Sequence, residues 1–348
     1  MPLVQTLLPK IKIERKLPVN YDPKIAEMDY LAKNSTEVAT KEVELITYKN
    51  VHVNAIGLIF KGLRLMKNSY PNWHPYPTLY QRQKLIKNLY FKSKIHNFKG
   101  RVLLTCADGF LPNYYHWFCD ALPRINLSKR FFKEKFLLVL PKPFFEAEFV
   151  QKSLQAFGIS KSNIVILDKR EAAKSDLVIF PTWLMGYDQE VIATRDKLIN
   201  HFKDNLKFNL GERIFISRKK AAKRKITNQE EVENLMIKYG FSIVVMEDLT
   251  FEEQISVTHN AKYIVAQHGA GLTNILFCKG DASILELKPK SFNDREGNCF
   301  YELAQAAGLK YLCQYDDFDI KNIYINALHT DIMVDLSALK NNIELMLQ

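Results

Sequence analysis

The chain has 348 residues, 47% of them hydrophobic and 25% charged, with a formal net charge of +11. That length allows two cores of ordinary globular composition, and no window approaches eighteen uninterrupted apolar residues, so a membrane-spanning segment is excluded. The surplus of positive charge favours anionic partners: a nucleotide diphosphate, an anionic lipid surface, an acidic glycan or nucleic acid. The lysines are scattered, and the one dense cluster, Arg218, Lys219, Lys220, Lys223, Arg224 and Lys225, comes without a nucleic-acid-binding signature. Five cysteines with no CxxC pair argue against a disulfide framework or a zinc ribbon and fit a reducing compartment. The first residues, MPLVQTLLPKIKIERKLP, lack the apolar core of a signal peptide.

In chain order, residues 1–50 carry Pro2, Pro9, Pro18 and Pro23 and are expected to be an extended lead-in or small β elements. Val51–Phe60 alternates as a strand, within a hairpin, and Pro71, Pro75 and Pro77 mark a loop. Strands are expected at Arg101–Thr105, Phe136–Leu140, Ile164–Leu167 and Leu177–Phe180, with a helix around Phe144–Gly158. Val191–Phe208 has helical spacing, and a hinge is placed near Pro181–Gln189. After Gly211 the alternation becomes regular. Strands are expected at Arg213–Ser217, Phe241–Met246, Tyr263–Gln267, Ser283–Leu287 and Tyr311–Cys313. Helices are expected at Gln229–Tyr239, Phe251–Asn260, Leu272–Cys278, Phe300–Ala307 and Leu336–Leu347. Such a series predicts a parallel sheet with right-handed crossovers.

Five segments carry candidate chemistry. In YIVAQHGAGLTNILF (Tyr263–Phe277) a strand ends at Gln267, His268-Gly269-Ala270-Gly271 turns, and a helix opens over Leu272, Thr273 and Asn274. Glycines there let a ligand approach the backbone, and the free amides of a first helical turn form a phosphate site. Asn274 stands where the dinucleotide fingerprint has its third glycine, and no Gly-Lys-Ser/Thr follows, so the pattern argues against a P-loop ATPase and supports a nicotinamide site only weakly. In NYYHWFCDALPR (Asn113–Arg124) an α-helix sets His116 and Asp120 one turn apart on one face, as a catalytic pair or as a structural clasp. Ser217-Arg218, with Arg224 and Asn228 beyond, leaves the end of a predicted strand, and arginine forks onto phosphate oxygens. Glu286, in a buried strand, either binds ribose hydroxyls or pairs with a nearby lysine. Asp317-Phe318-Asp319 spells a DxD of the kind that holds a divalent metal on a diphosphate, but it falls in an acidic stretch after the last expected strand.

NYYHWFCDALPRI, RIFISRKKAAKRKITNQEEV and VAQHGAGLTNILFCKGDASILELKP, in that order, together resemble glycosyltransferase family 61, over about residues 100–315. The resemblance implies an α/β, GT-B-like fold of two Rossmann-type domains facing a cleft. It implies an inverting transfer with no required metal or other cofactor. The co-substrate is a nucleotide-diphosphate sugar, UDP- or CMP-type not distinguished. The family's H-x-x-x-D element falls on His116 and Asp120, its S-R on Ser217 and Arg218, and its HGAGLTN on His268–Asn274.

The expected domains are 1–188 on the acceptor side and 189–330 for the nucleotide sugar, with 331–348 as a C-terminal helix packing back on the first domain. Asp120 and His116 are the expected catalytic residues. Donor binding is assigned to Ser217, Arg218, Arg224, His268, Gly269, Ala270, Gly271, Leu272, Thr273, Asn274 and Glu286, and acceptor binding to Asn113, Tyr115 and Arg124. The expected partner is a glycan or lipid-linked glycan acceptor in surface polysaccharide biosynthesis. A bacterial cytoplasmic enzyme, peripheral at the inner face of an anionic membrane and without a nucleic-acid partner, fits this reading. The alternatives are a nucleotide-sugar epimerase or hydrolase on the same fold, and a non-catalytic glycan-binding protein.

Overall fold

The structure is a computed structural model that describes residues 2–70, 75–106, 112–184, 186, 188–290, 296–318 and 330–348. It is mixed α/β and divides into two compact units, Met1–Ile11 with Thr40–Lys197, and Lys12–Ala39 with Leu198–Gln348. Residues 12–39 therefore pack with the C-terminal half, although they lie far from it in sequence.

The strands up to residue 181 are β1 (Leu3–Leu8), β2 (Lys12–Glu14), β3 (Glu37–Ala39), β4 (Val43–Asn54), β5 (Ile59–Lys61), β6 (Arg64–Leu65), β7 (Lys94–Asn97), β8 (Val102–Leu104), β9 (Phe136–Pro141), β10 (Ile164–Leu167) and β11 (Glu171–Pro181). The first unit is built on one sheet in the order β10-β9-β8-β11-β4-β5-β6, with β1 added on β4 and β7 on β11. The pairs among β7, β8, β9, β10 and β11 are parallel, whereas β1, β4, β5 and β6 pair antiparallel. Ile46, Val53, Leu103, Val139, Val178 and Phe180 form the heart of its core.

The run Val51–Phe60 is two strands rather than one. Asn54 Oδ1 accepts the Leu58 amide at 2.9 Å, Gly57 takes φ 83°, and β5 returns against β4. Two helices escaped the sequence pattern. Ala26–Ser35 lies within the proline-punctuated lead-in. Leu79–Lys92 starts directly after the proline-rich loop, where Thr78 and Gln81 form a capping box worth about 1 kcal/mol.

In the second unit β12 (Arg213–Ile216), β13 (Ser242–Val244), β14 (Tyr263–Gln267), β15 (Ser283–Pro289), β16 (Lys310–Phe318) and β17 (Ile332–Met333) form a sheet in the order β13-β12-β14-β15-β16-β17. The first five are parallel and β17 closes antiparallel. This is a doubly wound order. The chain leaves β12 toward one edge and β14 toward the other, so the carboxyl ends of β12 and β14 flank the crevice where open α/β sheets take ligands.

Residues 16–20 run beside β16. Val19 N–H donates to Tyr311 O, and Asn20 exchanges two hydrogen bonds with the Cys313 backbone, which covers polar groups that would otherwise be an open edge. The helix Leu336–Met346, capped by Asp335, buries Leu339, Ile343 and Met346 in the core of this same unit with Val232, Met236 and Leu285. Among the described residues no helix is long and apolar enough to cross a membrane.

Candidate active site

At the end of β12 the chain passes Ser217 and Arg218 into the basic loop 218–225. At the end of β14 it passes Gln267, His268 and Gly269. The two exits touch: a Cβ on Gly269 would lie 1.9 Å from Arg218 Nη1 and 2.7 Å from Cζ. Glycine is needed here for that close approach and not for its dihedrals, since φ 163° is extended. Gly271 is likewise pressed on β12, with Ile216 Cγ2 at 3.3 Å from its would-be Cβ.

Arg218 Nε and Nη2 donate to the carbonyls of Arg224 and Lys223 at 3.1 and 3.2 Å. Nη1 and the second N–H of Nη2 have no acceptor among the described residues. Burial, then the neighbouring Arg224 charge, pushes the Arg218 guanidinium down to about 10. Burial also lowers Arg224, which sits at φ 59° and whose buried Nε has no partner among the described residues. Gln267, whose amide reaches the Lys225 carbonyl at 3.5 Å, leaves its buried Oε1 unanswered there. Buried polar atoms are normally paired, so this crevice holds two like charges and a set of unmatched hydrogen-bonding groups.

The segment after Gly269 is a 3₁₀ helix, Ala270–Phe277, not the expected α-helix from Leu272. Because Leu272 N–H already bonds Gly269 O at 2.9 Å, the amides without an acceptor inside the helix are those of Ala270 and Gly271. The candidate cradle is therefore shorter than Gly269–Asn274. Asn274 faces inward and donates to Gln254 Oε1 and Gly271 O, holding the turn to the helix Phe251–Asn260. Ser217 is also engaged within the fold: its hydroxyl donates to Glu233 at 2.8 Å and accepts from Gln229, tying the strand exit to the helix Gln229–Lys238.

Glu286 is fully enclosed and has no surface to offer a ribose. Its Oε1 lies 2.5 Å from His268 Nδ1, and its other oxygen accepts from the Tyr311 hydroxyl. Burial works to raise its pKa, but the Lys288 charge and the bonds from His268 and Tyr311 hold it below the usual carboxylate range. Burial lowers His268, with repulsion from Lys288 and Arg224 adding to it. The pair is thus a carboxylate and a neutral imidazole whose Nδ1–H donates to Glu286, which fixes the tautomer and the ring against Phe300, 4.9 Å away.

The first-unit candidates lie on a helix with an irregular turn. Tyr114–His116 is α, Trp117–Ala121 is a π turn closed by Leu122 N–H to Trp117 O, and Leu122–Phe131 resumes α. Pro123 explains it: proline has no N–H to donate to Cys119 O, and its ring crowds that carbonyl, so the preceding turn widens. His116 and Asp120 are therefore not an α-turn pair.

Asp120 Oδ2 instead accepts from Arg124 Nη1 at 2.8 Å, and Oδ1 takes a long contact of 3.5 Å from Leu184 N–H. Arg124, expected to touch an acceptor, is wholly enclosed. It donates to Cys106 O and twice to Pro181 O and lies 4.1 Å from the Trp183 ring centre. Asn113 caps the helix by accepting from His116 N–H at 3.3 Å. Tyr115 and His116 are half-exposed and contact each other edge-on.

Asp317 pairs with Lys290 at 2.7 Å, Asp319 lies outside the described residues, and the described residues contain no cluster of three His, Cys, Asp or Glu able to hold a metal. The sequence reading allowed a lysine beside Glu286, and Lys288 supplies that charge; it missed Tyr311, Gln267 and Trp183. Gln267 was legible only as a polar residue in an otherwise apolar strand.

The family model described as Glycosyltransferase 61 matches residues 114–285, from the irregular helix to the strand that carries Glu286. The chain is similar to proteins named EGF domain-specific O-linked N-acetylglucosamine transferase. The Mus musculus protein is 32% identical over 105 residues, 29% of this chain and 19% of that protein. The Xenopus laevis protein is 36% identical over 94 residues, covering 26% and 17%. The Drosophila melanogaster protein is 38% identical over 74 residues, covering 21% and 14%. The matched segments thus span a fifth or less of these relatives. The family match and these relatives support glycosyltransferase family 61; all three relatives are animal proteins, and none carries the bacterial, polysaccharide-type assignment expected above.

Proposed function

We propose that the chain is an inverting glycosyltransferase that uses a nucleotide-diphosphate sugar, with the GT-B arrangement that its family resemblance implies. One observation carries the reading: at the crevice of the doubly wound sheet, Arg218 and Arg224 hold unmatched donors beside Gly269 and the open amides of Ala270 and Gly271. A diphosphate answers all of them. In the reaction the acceptor oxygen attacks the anomeric carbon as the bond to the diphosphate oxygen breaks, and the electron pair leaves on the diphosphate. Donors already in place for that growing charge lower the barrier more than they tighten ground-state binding.

Asp120 is the base of this proposal. Arg124 holds Oδ2, and Oδ1, with only the long Leu184 contact, takes the hydroxyl proton. His116 is the second candidate. The guanidinium groups and amides offset the leaving-group charge, so activity persists in excess chelator.

The acceptor in this reading is a glycan or lipid-linked glycan of surface polysaccharide assembly, handled at the cytoplasmic membrane face. A second reading, favoured by the names of the animal relatives, is transfer of N-acetylglucosamine to a protein hydroxyl. Incubating the chain with labelled UDP-N-acetylglucosamine and either oligosaccharides or an EGF-like domain separates the two. The decisive experiment for the class is a thermal-shift series with nucleoside mono- and diphosphates, followed by donor turnover with and without acceptor. A diphosphate-specific rise in melting temperature and acceptor-dependent turnover are expected. Turnover without acceptor indicates a hydrolase or epimerase, and no nucleotide effect together with glycan binding indicates a binding protein. Asp120→Asn should lower transfer by about 10²–10⁴-fold with near-normal nucleotide affinity; an unaltered rate moves the base to His116.

A further inference from the structure

The positive charge is concentrated. Residues 45–107 contain eleven Lys and Arg and no Asp or Glu, while the rest of the chain carries 38 of each sign. The whole net charge of +11 therefore arises from this stretch of the first unit. Much of it surrounds the β5–β6 hairpin and the helix Leu79–Lys92, whose sequence LYQRQKLIKNLYFK is basic at four positions and acidic at none. The helix is firmly seated. Leu89 is buried with Leu58, Phe60 and Leu65, and the Tyr90 hydroxyl donates to Gly62 O at 2.9 Å.

Leu85, Ile86 and Tyr90 pack against the same cluster, but three other apolar side chains of the helix do not. Leu79, Tyr80 and Phe91, with Leu63 at the hairpin tip, are 64%, 74%, 82% and 73% exposed. Between helix and hairpin lies an open groove of about 750 Å³. Arg64, Arg82 and Lys87 line it, and Lys61, Lys84 and Lys92 are exposed on the same hairpin and helix.

We propose that this face docks on an anionic phospholipid bilayer. Large apolar side chains among cations, with no carboxylate in the segment, match the layered chemistry of such a surface: headgroup phosphates for the lysines, the acyl boundary for Leu63, Leu79, Tyr80 and Phe91. A second copy of the chain is a poor occupant, because two such faces would bring like charges together. Nucleic acid would answer the cations and leave the four apolar side chains in water. The proposal does not depend on the transfer reaction, and its test uses no nucleotide.

The experiment is flotation of the full chain with phosphatidylcholine vesicles and with vesicles doped with phosphatidylglycerol, at low and high salt. Two double variants are compared, Leu63→Ser with Phe91→Ser and Lys84→Gln with Lys92→Gln; all four sites are exposed, so melting temperatures should not change. Expected are binding to the anionic vesicles, weakening with salt, and a loss of at least about tenfold in each double variant. Absence of binding, equal binding to neutral vesicles, or anionic binding that survives the loss of Leu63 and Phe91 overturns the proposal. The last result would make the face a general polyanion surface.

Discussion

The two polar clusters differ in one respect that matters for function. Around Arg124 the strong groups are matched: the guanidinium meets Asp120, Cys106 O and Pro181 O between aromatic rings. Around Arg218 they are not: two half-buried arginines repel each other, and Arg224 Nε and Gln267 Oε1 lack partners among the described residues. A matched buried charge holds structure together, whereas an unmatched one is tolerated where a ligand completes it. Sequence composition gives both clusters the same appearance, an arginine near a polar motif.

The comparison breaks most clearly at Arg124. Arg124→Met should cost about 3–5 kcal/mol of stability, because it strips the partly buried Asp120 of its charged partner and leaves two interior carbonyls unpaired, and denaturant titration measures it. A variant with near-parent stability would show that the pair is not structural and would reopen Arg124 as a ligand contact.

Arg218→Ala should do the reverse. Melting temperature should stay near the parent's, while nucleoside diphosphate affinity falls by about 1.5–3 kcal/mol, the worth of a charge-assisted contact. Arg218→Lys should not restore it fully, since a point charge replaces a fork. Gly269→Ala should mimic the loss by displacing the guanidinium, whose Nη1 occupies the space of a Cβ. Unchanged affinity in all three, by calorimetry, would remove Arg218 from the site.

The smallest effect sharpens the rule from the other side. Asp316 is buried, and its Oδ2 has no partner among the described residues, yet it is a carboxyl and repels phosphate. Burial, opposed by bonds from Gln314 and the Asp335 amide, raises its pKa to about 6. The folded chain keeps this proton in a range where the unfolded chain has lost it, so stability falls as pH rises from about 4 to about 6, by about 1–2 kcal/mol. Asp316→Asn should flatten that slope in thermal melts at fixed ionic strength. An unchanged slope would mean that Asp316 is solvated in solution.

The regular alternation after Gly211 was legible because a parallel sheet buried on both faces needs apolar strands, and its helices need an apolar stripe. The meeting of the β12 and β14 exits was legible for the same reason, since strand-end motifs in a doubly wound sheet converge.

The first unit was less so. β4 pairs antiparallel with β11, so one sheet joins a parallel half to an antiparallel one, and the helix Leu79–Lys92 hid behind prolines. Pro123 was visible, but the turn it widens, and with it the pairing of Asp120 with Arg124 instead of His116, follows from carbonyls contributed by residues 106 and 181.

Glu286 shows the same division. Its place in a strand, and the need of a buried carboxylate for partners, came from the sequence. That the partners are His268 and Tyr311 was decided by the register of β14, β15 and β16, which sets Glu286 beside Ala266 and Cys313. Local sequence determines which groups must be satisfied. Only the tertiary structure determines which are, because the satisfying atoms come from elsewhere in the chain.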